Sequence, residues 1–307
     1  MTFYDLLLQQ VINGLSLGAM YALLALGFTL VYGILELINF SHFNVFMVGS
    51  FVGLFLLEAM GVSGQLTIMT GLPLVGVLLV AFAGSMLFCG GLGAGIERWL
   101  LRPLRQVRGP APMITTIGIS YILFNLVILT QGADSKNFPN PLPPIVWHIG
   151  GAELRLREVL IWVVALLLMG GLTYFAGYTK MGKAMRATAQ DPEAARMMGV
   201  DVDRVIALAF FLGGAMAGAG GLIFGLYYNF TSFIIGFKTG LFAFTAAVLG
   251  GIGNVPGAMI GGILIGLIEA MSGAYIASAW SDVIVFSILV LVFMPSGLLG
   301  RVAPNKS

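Results

Sequence analysis

The stretch TKMGKAMRATAQDPEAARMMGVDVDR, Thr179–Arg204, is a polar island in an otherwise lipid-compatible chain. Its 26 residues carry nine of the 28 charged side chains, the total being 15 Lys and Arg plus 13 Asp and Glu. Apolar runs long enough to cross a bilayer flank it at Val159–Tyr178 and Val205–Tyr228. A segment so charged cannot sit in hydrocarbon, so it is a water-facing loop. Its inner part has its own start and stop signals. Asp191 suits an N-cap, Pro192 the first helical position, Glu193 the positive end of the helix dipole, and Gly199 a left-handed terminator. A short capped helix, Asp191–Gly199, on a membrane protein's aqueous loop reads as a handle for a soluble partner.

Composition places the rest of the chain in a bilayer. The 307 residues are 59% hydrophobic and 9% charged, with a mean hydropathy of +1.00. Soluble domains average about 25% charged residues, so this chain could not cover its own surface with polar groups. The net charge of +2 gives no reason to expect a nucleic-acid partner. Cys89 is the single cysteine and lies within an apolar run, which excludes an internal disulfide or thiolate metal cluster. No cleavable signal peptide is expected, because the first apolar run is long and lacks a basic segment before it.

The expected fold is an all-α polytopic bundle of about eight membrane segments, with broken or re-entrant helices, forming one transmembrane domain over residues 1–307. Spans are expected at Leu8–Leu35, Phe43–Ala59, Leu66–Ile96, Ala111–Thr130, Val159–Tyr178, Val205–Tyr228 and Ser281–Leu299. A further apolar stretch, Thr239–Ile276, is interrupted by GGIGNVPG, Gly250–Gly257. Arg98, Arg102, Arg105 and Arg108 share one loop. With the five basic residues of the island and Arg301 and Lys306 of the tail, they should lie in the cytoplasm. The loop Gln131–Glu158, with mixed charge and four prolines, falls outside, and so does the amino terminus, with which acidic Asp5 is compatible. Island and tail then share a side, so Thr239–Ile276 must cross the membrane twice or not at all. The Gly/Pro break favours two half-helices meeting inside the membrane, where irregular backbone is tolerated only if packed or wet. Short echoes (Leu17–Met20 with Gly213–Met216, Phe46–Gly49 with Ala258–Gly261) raise the possibility of an internal repeat.

Ionisable or strongly polar groups within the apolar regions are the candidates for a solute path. Asn39, Ser41, His42 and Asn44 cluster in ELINFSHFN directly after the first run, with Glu36 ahead of them. The alternative is a short interfacial turn that keeps Glu36 and His42 in headgroup water. Asn254 at the second break and Glu269 beyond it complete the path candidates, Asn254 also suiting a helix cap and Glu269 a structural pairing. His148 reads as a solvated loop histidine. Glycines at four-residue spacing (214/218, 221/225, 253/257/261, 262/266) indicate close helix packing. No phosphate-binding loop, metal-ligand spacing or serine elbow is present, and GGLGAG at Gly90–Gly95 has no strand before it. Catalysis is not expected.

Several blocks together resemble the membrane subunits of branched-chain amino acid ABC importers, of the LivH type. They are NGLSLGAMYALLALG (Asn13–Gly27), YGILELINFSH (Tyr32–His42), IERWLLRPLR (Ile96–Arg105), MGKAMRATAQD (Met181–Asp191), GVDVDRVIALAF (Gly199–Phe210), FTAAVLGGIGNVPGAMIGG (Phe244–Gly262) and MPSGLLGR (Met294–Arg301). The resemblance implies an ABC importer permease in the bacterial inner membrane. Its partners would be two ATPase subunits that bind ATP and Mg, a related second permease subunit and a periplasmic binding protein; this chain itself would hold no cofactor. The family's cytoplasmic coupling element maps onto Glu193, Ala194, Ala195 and Gly199 within loop 179–204. The whole segment Asp191, Pro192, Glu193, Ala194, Ala195, Arg196, Met197, Met198 and Gly199 is thus the expected ATPase contact. Ala194, Ala195, Met197 and Met198 are expected to enter the ATPase, with Arg186, Arg196 and Arg204 at the rim. Relatives carrying urea or short amides remain open as substrates. So do two other classes: an ion-coupled transporter relaying protons through Glu36, His42 or Glu269, and a passive pore.

Overall fold

A computed structural model describes residues 3–62, 68–105, 107 and 109–293. Arg108, the tail with Arg301 and Lys306, the block Met294–Arg301 and the start of the third expected span at Leu66 lie outside these residues. Among the described residues, seven helical stretches are long and apolar enough to cross a membrane, and Ile235–Gly250 is a shorter apolar one. The all-α polytopic bundle is therefore as expected.

The membrane helices are α1 (Phe3–Leu35), α2 (Ser41–Ala59), α3 (Gly71–Gly95), α4 (Ala111–Gln131) and α5 (Leu156–Tyr178). A π turn at Ile96–Leu101 and a short 3-10 turn at Arg102–Leu104 prolong α3. The polar island forms α6 (Lys180–Gln190) and α7 (Pro192–Met197), followed by α8 (Val202–Tyr228), α9 (Ile235–Gly250), α10 (Val255–Ser272) and α11 (Ser278–Phe293). The outer loop adds strands β1 (Lys136–Asn137), β2 (Val146–Ile149) and β3 (Ala152–Arg155), and β4 (Phe230–Thr231) follows α8. β1 pairs with β4, and β2 with β3. Gln9 of α1 hydrogen-bonds the main chain of Glu153 in both directions. The amino-terminal end of α1 thus shares a face with the loop assigned outside.

Helix α1 is the axis, and glycines let its neighbours approach it. A Cβ on Gly266 would land on the backbone of Gly18, and one on Gly262 on that of Ala22, so α10 lies backbone to backbone against α1. Each expected glycine pair faces a different neighbour. Gly214 and Gly218 of α8 meet Cys89 and Ser85 of α3, Gly221 meets Phe46 and Ser50 of α2, and Gly257 and Gly261 meet Gly250 and Ala246 of α9. Without a hydrophobic drive between helices in lipid, such close van der Waals contact is what holds them together.

The contacts around Gly250–Gly257 make α9 and α10 an antiparallel hairpin whose turn is Gly251–Asn254. Thr239–Ile276 is therefore a helical hairpin that returns the chain to the side it left, as the parity rule requires. The break is not buried in mid-membrane, however. Gly251, Gly253 and Asn254 are exposed, and Gly253 packs on Gly33 near the inner end of α1. The next reversal falls just before the expected last span, Ser281–Leu299, where the parity rule requires one. A Cβ on Gly273 would come within 3.3 Å of Ser281 Oγ, and the pairs Lys238–Asp282 and Phe242–Phe286 advance together along α9 and α11. So α11 runs parallel to α9, and the π turn Gly273–Ala277 sends the chain back from α10. These directions also break up the internal echo. Helices α8 and α10 both oppose α1, whereas α2 runs with α10. One repeat cannot relate α1 to α8 and α2 to α10 at once.

The glycine contacts generate a stability prediction. Gly266→Val should destabilise the detergent-solubilised protein by on the order of 1–3 kcal/mol or more through overpacking. Gly170→Val, where a Cβ meets nothing within 4 Å, should stay within about 0.5 kcal/mol of the parent. Thermal unfolding followed by size-exclusion chromatography compares the two.

Candidate functional site

The island folds as its end signals require. Asp191 Oδ1 accepts the backbone N–H groups of Glu193 and Ala194, both at 2.9 Å, so it caps α7. At the other end Gly199 takes φ +83°, its N–H donates to Arg196 O, and the Val200 N–H donates to Ala195 O. This pair of bonds is a Schellman termination, in which a left-handed glycine avoids the Cβ penalty. The fixed ends determine what the helix displays. Met197 and Met198 are 88% and 85% exposed, and Pro192, Glu193, Ala194 and Arg196 are exposed beside them. Ala195 is only 4% exposed and turns toward the protein's own core. The expectation that Ala195 enters a partner is therefore corrected: a short helix must spend one face on its own scaffold.

The first half of the island, α6, was not read as a helix from the sequence. The signal is Thr179, whose Oγ1 accepts the Gly182 N–H at 3.0 Å as an N-cap. Gly182, Met185 and Thr188 then form a buried face at helical spacing. Arg186, expected as rim charge, instead donates to the carbonyl oxygen of Ala176 near the end of α5. α6 roofs a cavity of about 490 Å3 lined by Thr29 and Gly33 of α1, Thr173 of α5, Gly182, Arg186 and Asn254. The island thus sits directly on the inner ends of α1 and α5 and on the α9–α10 turn.

An ionic cluster that sequence reading missed joins the island to the basic loop. Asp203, in the first turn of α8, takes Arg102 at 2.8 Å, Arg105 at 2.9 Å and Arg196 of α7 at 3.7 Å. Arg105 also pairs with buried Glu97 of the π turn after α3. Loop and island had both been assigned to the cytoplasm, and the cluster holds them on one face. Arg204 pairs with Asp201 at 2.8 Å.

The polar candidates of the path lie in three separate places. After α1, Glu36 adopts φ +52° and its N–H bonds to Tyr32 O at 2.7 Å, a left-handed exit from the helix. Leu37–Phe40 then lead back into the bundle. α2 begins level with Leu24–Gly27, since His42 Nε2 lies 3.2 Å from Leu24 O and beside Gly27. That is about 12 Å short of the inner end of α1 at a rise of about 1.5 Å per residue. Glu36 is exposed, whereas His42 is 3% exposed, so the interfacial-turn alternative holds for the first residue and fails for the second. Asn39 Oδ1 accepts from the Ser41 N–H at 3.1 Å and the Ser41 hydroxyl at 2.5 Å. Asn44 donates to Ser120 O at 2.9 Å and Ser120 Oγ at 2.5 Å, while its own Oδ1 is buried without a partner among the described residues.

Asn254 caps α10 by accepting the Gly257 N–H at 3.2 Å, as its position suggested, and it lies at the inner face. Glu269 lies toward the opposite end of α10, where the Tyr21 hydroxyl donates to its Oε2 at 2.5 Å. Among the described residues Glu36, His42 and Glu269 make no bond to one another. Lys238 and Tyr21, which surround Glu269, were not singled out from sequence. A lone lysine and a tyrosine carry no spacing signal.

A membrane bundle with polar residues at several depths and a capped helix displayed at its inner face is the architecture of a transport permease. The chain belongs to the family described as branched-chain amino acid transport system permease component, whose model matches residues 10–293. It is 43% identical over 308 residues to the high-affinity branched-chain amino acid transport system permease protein LivH of Escherichia coli K12, covering 97% of each chain. It is 42% identical over 307 residues to LivH of Salmonella typhimurium, again covering 97% of each. The corresponding protein BraD of Pseudomonas aeruginosa is 40% identical over 305 residues, also covering 97% of each. No solved structure matches the chain. It is thus a multi-pass permease of the bacterial inner membrane.

The caps generate a local prediction. Asp191→Ala should cost α7 about 1 kcal/mol and Gly199→Val roughly 1–2 kcal/mol, the latter because a β-branched residue is forced left-handed. Amide hydrogen exchange over residues 192–199 should accelerate about fivefold or more in each variant, with exchange in α8 unchanged.

Proposed function

We propose that this chain forms one half of the solute path of an ATP-driven importer for branched-chain or other hydrophobic amino acids. Two ATPase subunits would bind ATP and Mg and grip α7. A related permease subunit would supply the other half of the path, and a periplasmic binding protein would dock on the outer face formed by β1–β4. The single observation that carries this reading is the doubly terminated helix α7, which holds Met197 and Met198 out from the bundle. Methionine is flexible and polarisable, suited to filling an apolar cleft, and a contiguous exposed apolar face on a soluble loop calls for a partner. The substrate class is supported by the names of the relatives and by their near-complete coverage.

ATP binding can shift the permease only through contacts that differ between its states. α7 supplies those contacts. Asp203 passes them on, because it binds Arg196 of α7, belongs to α8 itself, and anchors Arg102 and Arg105 after α3. α6 passes them to α5 through its Thr179 cap and the bond from Arg186 to Ala176 O. The glycine faces of α8 against α2 and α3 leave no slack, so a displacement there moves helices as bodies.

Ala195 is a poor place to test coupling, since a charge there would disrupt α7 within its own chain. The double variant Met197→Asp/Met198→Asp leaves the internal packing alone. In proteoliposomes holding the full importer it should lower both leucine uptake and substrate-stimulated ATP hydrolysis at least tenfold, with membrane insertion unchanged. Wild-type coupled uptake in this variant, or uptake by the purified chain without ATPases, would overturn the proposal.

A further inference from the structure

Four membrane helices and strand β4 meet toward the outer end of the bundle around a cavity of about 340 Å3. Its wall includes Tyr21 of α1, Phe224 and Tyr228 of α8, Phe230 of β4, Lys238 of α9 and Glu269 of α10. Asp282 of α11 holds Lys238 Nζ at 3.0 Å, and a second space lined by Lys238, Glu269 and Asp282 adjoins the first. Ionisable groups within membrane helices are costly and need partners or water. Here two carboxylates face one ammonium, so the cluster is one cation short. Lys238 is committed to Asp282. Glu269 has a hydrogen bond from Tyr21 on Oε2 but no cation within ion-pair distance among the described residues. Opposite these charges stand the rings of Phe224 and Phe230, which meet edge to face.

A small aliphatic amino acid has the complementary set of groups: an ammonium, a carboxylate a few ångströms away, and an apolar side chain. We infer that this cavity is a binding subsite for a zwitterionic aliphatic amino acid, Glu269 taking the ammonium, Lys238 the carboxylate, and the Phe224–Phe230 wall the side chain. The inference rests on the amino-acid import proposed above and adds a solute-reading site within the permease itself. The cavity volume lies at the small end of the range for ligand pockets, about 300–1,000 Å3, as suits so small a molecule. Lys238 exchanges Asp282 for the substrate carboxylate and returns to it on release, which keeps the lysine paired throughout and the affinity modest.

The test uses the assembled importer carrying Ser232→Cys as reporter, at a cavity-lining position outside the three proposed contacts; Cys89 is buried. Maleimide labelling is followed without the binding protein, so any protection arises in the permease. Millimolar leucine should slow labelling at least threefold, while isovalerate, lacking the ammonium, and isoamylamine, lacking the carboxylate, should not. Glu269→Gln keeps an acceptor for Tyr21 and so preserves the packing. It should abolish protection and lower uptake at least tenfold once the binding protein is restored. Absent protection by leucine, equal protection by isovalerate or isoamylamine, or a Glu269→Gln variant within twofold of wild type would overturn the subsite. Such a result together with normal leucine uptake by the parent importer leaves the proposed function standing. A parent importer that takes up no leucine overturns both.

Discussion

Close approach of backbones around α1 is the constraint on which the remaining structure depends. In lipid, burying apolar side chains against other helices gains little over leaving them in hydrocarbon, so cohesion comes from dense contact. Here that density is reached by removing side chains. Gly14 and Gly18 of α1 face Gly262 and Gly266 of α10, Gly27 faces Gly213 of α8, and Gly33 faces Gly253 at the α9–α10 turn. A helix so enclosed cannot slide without its neighbours. It also fixes where the chain can break: the left-handed exit at Glu36 and the descent through Asn39 to His42 fit only because Gly27 leaves room for the imidazole.

This rigidity gives the polar island its mechanical meaning. α6 lies across the inner ends of α1 and α5, and α7 is tied through Arg196 and Asp203 to α8 and to the turn after α3. A soft bundle would absorb a push on α7 locally. A bundle locked by glycine contacts passes it to the helices that surround the polar residues of α2 and α10. The outer end is built differently, with two short β pairings and a mixed-charge cluster around Lys238 and Glu269. On the proposed reading, one face of the molecule is moved by the ATPases and the other meets solute.

Much of this was legible in the residues because the signals were local. Span positions follow from apolar length, and the α7 ends from Asp191, Pro192 and Gly199. Parity, a rule that needs only the sidedness of the flanking loops, limited Thr239–Ile276 to two passes or none. What failed to show was tertiary. The reversal before Ser281 followed from the span order, but no local pattern tells that it is made by a π turn at Gly273–Ala277. The break at Gly250–Gly257 looked like a mid-membrane interruption, yet it is the exposed turn of a hairpin. Ala195 could not be known to face inward without α8 in place. Asp203 gathers arginines from two segments about a hundred positions apart, a convergence that no spacing encodes.

The central claim is that α7 is a cytoplasmic element seated in a nucleotide-driven subunit. Site-specific photocrosslinking addresses it most directly. With p-benzoylphenylalanine in place of Met198, the assembled importer is irradiated and the adducts are identified by mass spectrometry. The account predicts a dominant crosslink to an ATPase subunit, with a yield that changes when ATP is bound. A crosslink to the periplasmic binding protein, or none to any ATPase in an importer that still transports, would contradict it.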